Sequence, residues 1–371
     1  MSGLDAVAGG TIAAVPTREG RAAQAADSVA GAQARRPTMR FTRPVPVMAA
    51  VTVAGPAEQA GPLGGRFDRL LADHLVGQRT WEMAEAHFQE MAAEMAIAAA
   101  GLRRQDIDAV LGGDLQNQLG ATGFAARIID LPMLGLYGAC ATCGEGLLLG
   151  AALCDAGFCR HVLVVVSSHH HAAERQFRFP TEFGTQLPPT AQWTATGSVA
   201  VAVEAGARER ALARLTAFTP GRVVDYRVKD PFHMGAAMAP AAADTLAVHL
   251  DALALPAPAY GAIYSGDLGG VGAPLCTDLL RAAGWDVPLR DCGRELYDPS
   301  HQDVHAGGSG AACSALVFAA RILPALHSGT YRRACLCTTG ALHSPTTYQQ
   351  GESIPSVAHA VSLESPGSPG T

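Results

Sequence analysis

The chain has 371 residues and a mass of 38.2 kDa, enough for one large α/β domain or two ordinary ones and too long for a disulfide-stapled mini-protein. Charged residues make up 16% and hydrophobic types 49%, the balance of a compact, heavily buried fold. Net charge is −6 and no stretch carries a run of Lys or Arg that could track a phosphate backbone, so no nucleic-acid partner is expected.

Nine cysteines is an odd count, and Cys154, Cys335 and Cys337 lie inside apolar runs where a thiol acts as a small hydrophobe. That usage predicts a reducing compartment. The first residues offer neither a basic n-region nor a leucine-rich h-region, and no uninterrupted apolar segment reaches the ~18 residues of a membrane span. The expectation is a soluble, cytoplasmic protein without a secretory signal.

In chain order, residues 1–40 are rich in Ala, Gly, Gln and Ser and read as a disordered tail, as do residues 364–371 at the other end. Between them, short β-branched runs alternate with Ala-rich helical stretches, the pattern of a largely parallel sheet covered by helices. Val47 to Val53 reads as a strand. A helix follows over Trp81 to Ala100, with Thr80 as cap, Gly101 as stop, and Met83, His87, Met91 and Met95 recurring on one face. Ala109 to Gly112 reads as a strand running into Gly113-Asp114-Leu115. A second helix follows Cys140 through about Ala156, and His161 to Ser167 is the Val-rich run of a strand buried on both faces.

The order then recurs. Gly266-Asp267-Leu268 repeats Gly113-Asp114-Leu115, and the same interval separates Cys140 from Val162 and Cys313 from Cys335. SVAVAVE at Ser198 to Glu204 and SVAHAVS at Ser356 to Ser362 agree at five of seven positions. These matches predict two halves of about 160 residues each, 41–205 and 206–363. Because each half carries an aspartate at the same strand end, Asp114 and Asp267 are expected to cap the segments that follow them. Met234 to Met238 reads as a close-packed turn before a helix over Pro240 to Leu250.

Cys140 stands at a predicted helix start, where unpaired N–H groups and the dipole favour a thiolate. A buried core cysteine is the competing reading. Cys140, Cys143, Cys154 and Cys159 do not suit one zinc ion, because Cys154 and Cys159 lie two to three turns further along the same helix. His169-His170-His171 is metal-like in composition, but at a strand's carboxyl end such a cluster is expected to line a crevice or a subunit contact. The long loop Ala172 to Pro189 holds Glu174, Arg175, Phe177, Arg178 and Phe179. Its Arg forks and flat rings suit a planar carboxylate, or they pair with Glu174 and Glu182 and pack an interface. For Lys229 a surface ion pair is the default.

A duplicated α/β chain with a cysteine at a Gly-Ala-rich helix start resembles the thiolase fold. The segments YGACATCGEGLLLG (Tyr137 to Gly150), AERQFRFPTEFGTQLPPTAQWTATG (Ala173 to Gly197) and GRVVDYRVKDPFHMGAAMAPAAADT (Gly221 to Thr245) carry a closer resemblance, as do YSGDLGGVG (Tyr264 to Gly272), HAGGSGAACSA (His305 to Ala315) and TTGALHSPTTYQQGESIPSVAHAV (Thr338 to Val361). They resemble the stage V sporulation protein AD family over about residues 41 to 363. The resemblance implies an α/β, thiolase-like duplicated fold: two βαβαβ-type halves with mixed sheets and helices layered between and outside.

It also implies a sporulation protein that binds dipicolinic acid in the thiolase-like pocket and supports its uptake into the developing spore with membrane-embedded sporulation V A proteins. Peripheral attachment at the spore inner membrane through those partners, and a homodimer through the His161 to His171 region, follow by the same analogy. The ligand-binding candidates are Cys140, His169, Arg178, Lys229, His305, Ser309 and Cys337, with no cofactor and no metal. Cys140 falls at the nucleophile position of thiolases, His305 loosely matches their His-x-x-Gly, and Cys337 falls where they place a second cysteine. The histidine and asparagine of ketoacyl synthases would fall near Gly269-Gly270 and Gly308, where neither side chain is present. The alternative is an active thiolase or ketoacyl synthase-type acyltransferase on acyl-coenzyme A with Cys140 as nucleophile. A third reading is a scaffolding subunit with a filled pocket.

Overall fold

A computed structural model describes residues 38–177, 187–206 and 210–367; most of the expected N-terminal tail, Arg178 and Phe179 lie outside them. The first half contributes strands β1 (Met39–Ala54), β2 (Ala109–Gly113), β3 (Met133–Gly135), β4 (His161–Ser168) and β5 (Gly197–Glu204). Its main helices are α1 (Trp81–Ala99), α2 (Gly120–Ile129), α3 (Thr142–Asp155) and α4 (His170–Phe177). The second half contributes β6 (Ala213–Pro220), β7 (Ala262–Ser265), β8 (Leu289–Asp291), β9 (Arg333–Ala341) and β10 (Ser356–Glu364). Its main helices are α5 (Met234–Leu253), α6 (Gly269–Ala282) and α7 (Ala311–Val317), the last continued by a π turn, Phe318–Ile322.

These strands hydrogen-bond in the order β8-β7-β9-β10-β6-β1-β5-β4-β2-β3. Read from either edge, the order within each half is third, second, fourth, fifth, first. The duplication read from short sequence matches is therefore present in the topology, with Asp114 and Asp267 following equivalent strands and the two SVA segments forming β5 and β10. The two first strands meet at the centre, where β1 and β6 pair antiparallel with Val45 opposite Leu215 and Val47 opposite Ala213.

Helices complete the layers. α1 and α2 cover the outer face of the first half, α5 and α6 that of the second, and α3 and α7 lie between the halves. A helix so enclosed needs small residues: a Cβ at Gly144 would lie 2.1 Å from Thr338 Oγ1 on β9, so only glycine lets α3 approach the second half this closely. All eight residues of β4 are buried, as the unbroken Val run predicts.

Several elements differ from the sequence reading. β1 begins at Met39, which pairs with Phe218, so the strand starts inside the stretch read as tail. In α1, Thr80 Oγ1 does accept from Met83 N–H and Gly101 takes φ +70°, but the buried stripe is Ala84, Phe88, Ala92 and Ala96, with Met83 exposed. Small side chains fit a helix close to a Val-rich sheet, and the methionines flank that contact. Met234 to Met238 is helix, and α5 runs on through Pro240, whose missing N–H removes the bond to the Ala236 carbonyl. Close packing there is real, because a Cβ at Gly235 would lie 2.3 Å from the Leu268 carbonyl. The start of the long loop is α4. β4 is paired on both sides, parallel with β2 and antiparallel with β5, so the His161 to His171 region offers no free edge for a dimer.

Polar groups tie the outer layer to the sheet. On α1, Glu85 accepts from Ser167 Oγ and Gln116 Nε2, and Gln89 Nε2 donates to Ser167 and Thr122 hydroxyls. Burial, then the nearby Asp114 charge, pushes Glu85 up to about 8, and burial pushes Asp291 up to about 7. The folded state thus holds protons that the unfolded chain releases near pH 4, so their stabilisation declines as pH rises from about 4 and is gone above about 7 to 8. Stability measured by urea denaturation is expected to fall from pH 5 to pH 8, with buried thiols extending the fall above about pH 8. Glu85→Gln should make that fall shallower; an unchanged slope would show that Glu85 is ionised in the folded protein.

Candidate functional site

Cys140 sits in a turn built to present it at the head of α3. Ala139 takes φ +51°, Thr142 Oγ1 donates to the Ala139 carbonyl, and Gly138 N–H donates back to Thr142 Oγ1. From the second half, Thr338 Oγ1 donates to the Ala141 carbonyl at 3.1 Å, fixing the turn against β9. The thiol is buried, and its Sγ lies 3.8 Å from Ser309 Oγ. Ser309 in turn donates to Asp267, whose carboxylate also accepts from Gly310 N–H and Thr339 Oγ1. A short parallel ribbon, Trp193–Thr194 against Gly308–Ser309, brings Thr194 and Ser309 together from the two halves. Gln192 Nε2 locks it by donating to the Asp267 and Gly308 carbonyls.

A small cavity, partly open to solvent and with about 30 Å³ of room for the centre of a water-sized molecule, lies over this thiol. Tyr137, Phe177 and Thr194 line it from the first half and Met234, Ser309 and His343 from the second. Its walls are largely apolar and aromatic; the Phe177 and His343 rings lie 5.6 Å apart.

The electrostatics oppose a thiolate. Burial, then the Asp267 charge, raises the Cys140 thiol well above its ordinary value. This corrects the expectation from the helix start: the dipole of one helix terminus is outweighed when the group is buried beside a carboxyl. Burial also raises Asp267, against the opposing effect of its donors. In this arrangement the S–H donates towards Ser309, and neither Ser309 nor Asp267 is an imidazole base for it.

Asp114 caps as expected, accepting from Thr122 N–H and Oγ1 at the start of α2. Asp267 does not. Its capping task falls to Asp291, which accepts from Leu268 and Gly269 N–H groups, leaving Asp267 free to face the cavity region.

Among the sequence candidates, Cys140 and Ser309 meet in the cavity. Cys337 is buried in the outer core of the second half, on the strand face that also carries Cys335, away from the side that bonds α3. Lys229 is exposed and donates to the Gly351 carbonyl. His305, at φ +49°, has its ring 3.5 Å from Asp303 and does not line the cavity. His169 packs among other histidines, with its Nε2–H donating to the His74 carbonyl. Arg175 pairs with Glu82 and lies over Trp81. Asp267, Thr339 and His343 were not singled out as site residues. A paired aspartate in both halves pointed to structure, and nothing near His343 in sequence marks it.

The sequence model of the stage V sporulation protein AD family matches residues 35–364. The chain belongs to the stage V sporulation protein AD family. It is 44% identical over 332 residues to the stage V sporulation protein AD of Bacillus subtilis (strain 168), covering 89% of this chain and 97% of the relative. Among solved structures, AbyA1, a tetronic acid condensing enzyme, superposes with TM-score 0.57 at 17% identity, over 86% of this chain and all of that one. OleA of Xanthomonas campestris bound to cerulenin gives 0.56 at 13%, over 88% and 98% of the two chains. Human mitochondrial 3-ketoacyl-CoA thiolase in complex with CoA gives 0.54 at 15%, over 89% and 100%. At such identities these likenesses show the thiolase-like fold alone. No helix among the described residues is long and apolar enough to cross a membrane.

Eight of the nine cysteines are buried and Cys159 is half-buried. Iodoacetamide at pH 7.5 followed by peptide mapping is expected to label Cys159 first and Cys140 hardly at all. Fast labelling of Cys140 would contradict a protonated thiol.

Proposed function

We propose that this member of the family binds dipicolinic acid in the cavity over Cys140 and supports its uptake into the developing spore together with membrane-embedded sporulation V A proteins, without catalysing acyl transfer. The observation that carries the reading is a crevice in a thiolase-like fold whose thiol is buried beside Ser309 and Asp267, surroundings that favour the protonated form. Such a site would keep a cavity without an activated nucleophile.

The walls suit a small planar diacid. Phe177 and Tyr137 offer flat apolar surface, and Thr194, Ser309 and His343 offer polar groups to replace water on the carboxylates. Arg178, outside the described residues, follows Phe177 directly and is the cation proposed to pair with a carboxylate. Peripheral attachment at the spore inner membrane through those membrane proteins belongs to the same proposal.

Dipicolinate titrated calorimetrically into the purified protein is expected to bind, with Phe177→Ala and Arg178→Ala each weakening it about tenfold. In a spore former lacking its own copy, the chain should restore dipicolinate accumulation, and the cavity-filling Ser309→Tyr variant should not. Absence of heat at millimolar ligand removes the binding claim. Incubation with acetyl-coenzyme A and intact mass tests the acyltransferase alternative: an adduct that disappears in Cys140→Ala would replace this reading.

A homodimer is proposed through a different surface from the one first expected. β3 ends the sheet with a free edge, and Leu134 on it and Phe124 and Ile128 on α2 are exposed. Sedimentation should give a dimer that Leu134→Arg converts to a monomer; a monomeric wild-type protein sinks the assignment.

A further inference from the structure

A second cluster of chemistry lies beside the cavity wall. The loop before α1 carries His74, and the end of β4 runs into α4 with His169 and His171. The three rings converge, with centroids 4.7 Å apart for His74 and His171, 5.7 Å for His169 and His171, and 6.1 Å for His74 and His169. One ring nitrogen from each lies within 4.8 Å of the other two. Trp81 stacks on His171 and Phe88 on His169, closing the cluster with apolar rings.

Hydrogen bonding sharpens the picture. Nε2 of His169 lies 2.7 Å from the His74 carbonyl, and a carbonyl only accepts, so Nε2 carries the proton. In the neutral ring Nδ1 is then a bare lone pair. Nδ1 of His169 is buried with no hydrogen-bond partner among the described residues, and the same holds for Nδ1 of His74 and of His171. Three buried ring nitrogens without a hydrogen-bond partner among the described residues, on three histidines whose rings converge, are costly unless something binds there. An imidazole whose other N–H is anchored on a backbone carbonyl is the usual arrangement of a metal-bound histidine.

We propose that His74, His169 and His171 bind one divalent transition-metal ion of the zinc class, each through one ring nitrogen. Three imidazoles without a carboxylate suit zinc, cobalt, nickel or copper and do not suit calcium or magnesium, which take oxygen ligands. Tetrahedral zinc with Zn–N near 2.0–2.1 Å sets ligand nitrogens about 3.3–3.4 Å apart, so the cluster closes by small ring movements. The fourth position is left to solvent or another small ligand. The ion would clamp the loop bearing His74 to α4, whose Ala173 and Phe177 line the cavity. It is independent of what that cavity binds.

The test uses the full chain, kept reduced, freed of metal by chelator dialysis, and titrated with cobalt(II) and then zinc without dipicolinate. One cobalt per chain is expected, with visible d–d absorption but no thiolate charge-transfer band, displaced by zinc, and with a rise in melting temperature. His74→Ala, in an exposed loop, and His171→Gln should each cut affinity more than about 100-fold while Cys140→Ala leaves it unchanged. Circular dichroism of the metal-free variants checks that they fold. Absence of stoichiometric uptake by the wild-type chain, a thiolate band, or uptake unchanged in both folded histidine variants overturns the proposal. Because no dipicolinate is present, any of these results leaves the cavity reading untouched.

Discussion

The fold depends on burying two helices, α3 and α7, between the two halves of one sheet. The faces that these helices bury are lined mostly by glycine, alanine, cysteine and leucine, and charge is confined to partly exposed positions such as Glu145 and Asp155 on α3. Gly144 against Thr338 is the tightest expression of this, and it sits one turn from Cys140. The same closeness that lets the halves meet also takes water from the thiol. Reactivity at this position is therefore set by packing before any neighbouring group is considered.

Duplication supplied the second determinant. Asp114 and Asp267 occupy equivalent strand ends, and one still caps a helix. In the second half Asp291 performs that capping, and Asp267 holds Ser309, Gly310 and Thr339 around the cavity floor instead. A carboxyl beside a buried cysteine is the reverse of what a thiolate nucleophile requires.

Much of this architecture was legible in the sequence because duplication leaves periodic marks: the paired Gly-Asp-Leu turns, the two SVA strands, and the Val run of β4 all read correctly. Local pattern failed where tertiary contact decides. The methionine stripe of α1 has the right period but lies one residue away from the face that packs, since Ala and Phe fit the sheet more closely. Cys140 and Ser309 were legible through motif and resemblance. Cys337 was misplaced because strand alternation turns it away from Thr338. His343 and His74 carry no local signal, because each reaches its cluster only through the fold. The histidines at 169 and 171 were visible as composition, but their third partner stands about a hundred residues earlier, at a distance no spacing rule spans.

Strand order also sets a schedule for synthesis. β10 comes last of the strands among the described residues, yet it is interior, bonded to β9 on one side and β6 on the other. Until residue 364 has left the ribosome, the second half presents two unpaired edges instead of one continuous surface. A chain halted before residue 356 would expose hydrogen-bonding backbone in the middle of the sheet as well as at its edges, an invitation to aggregate.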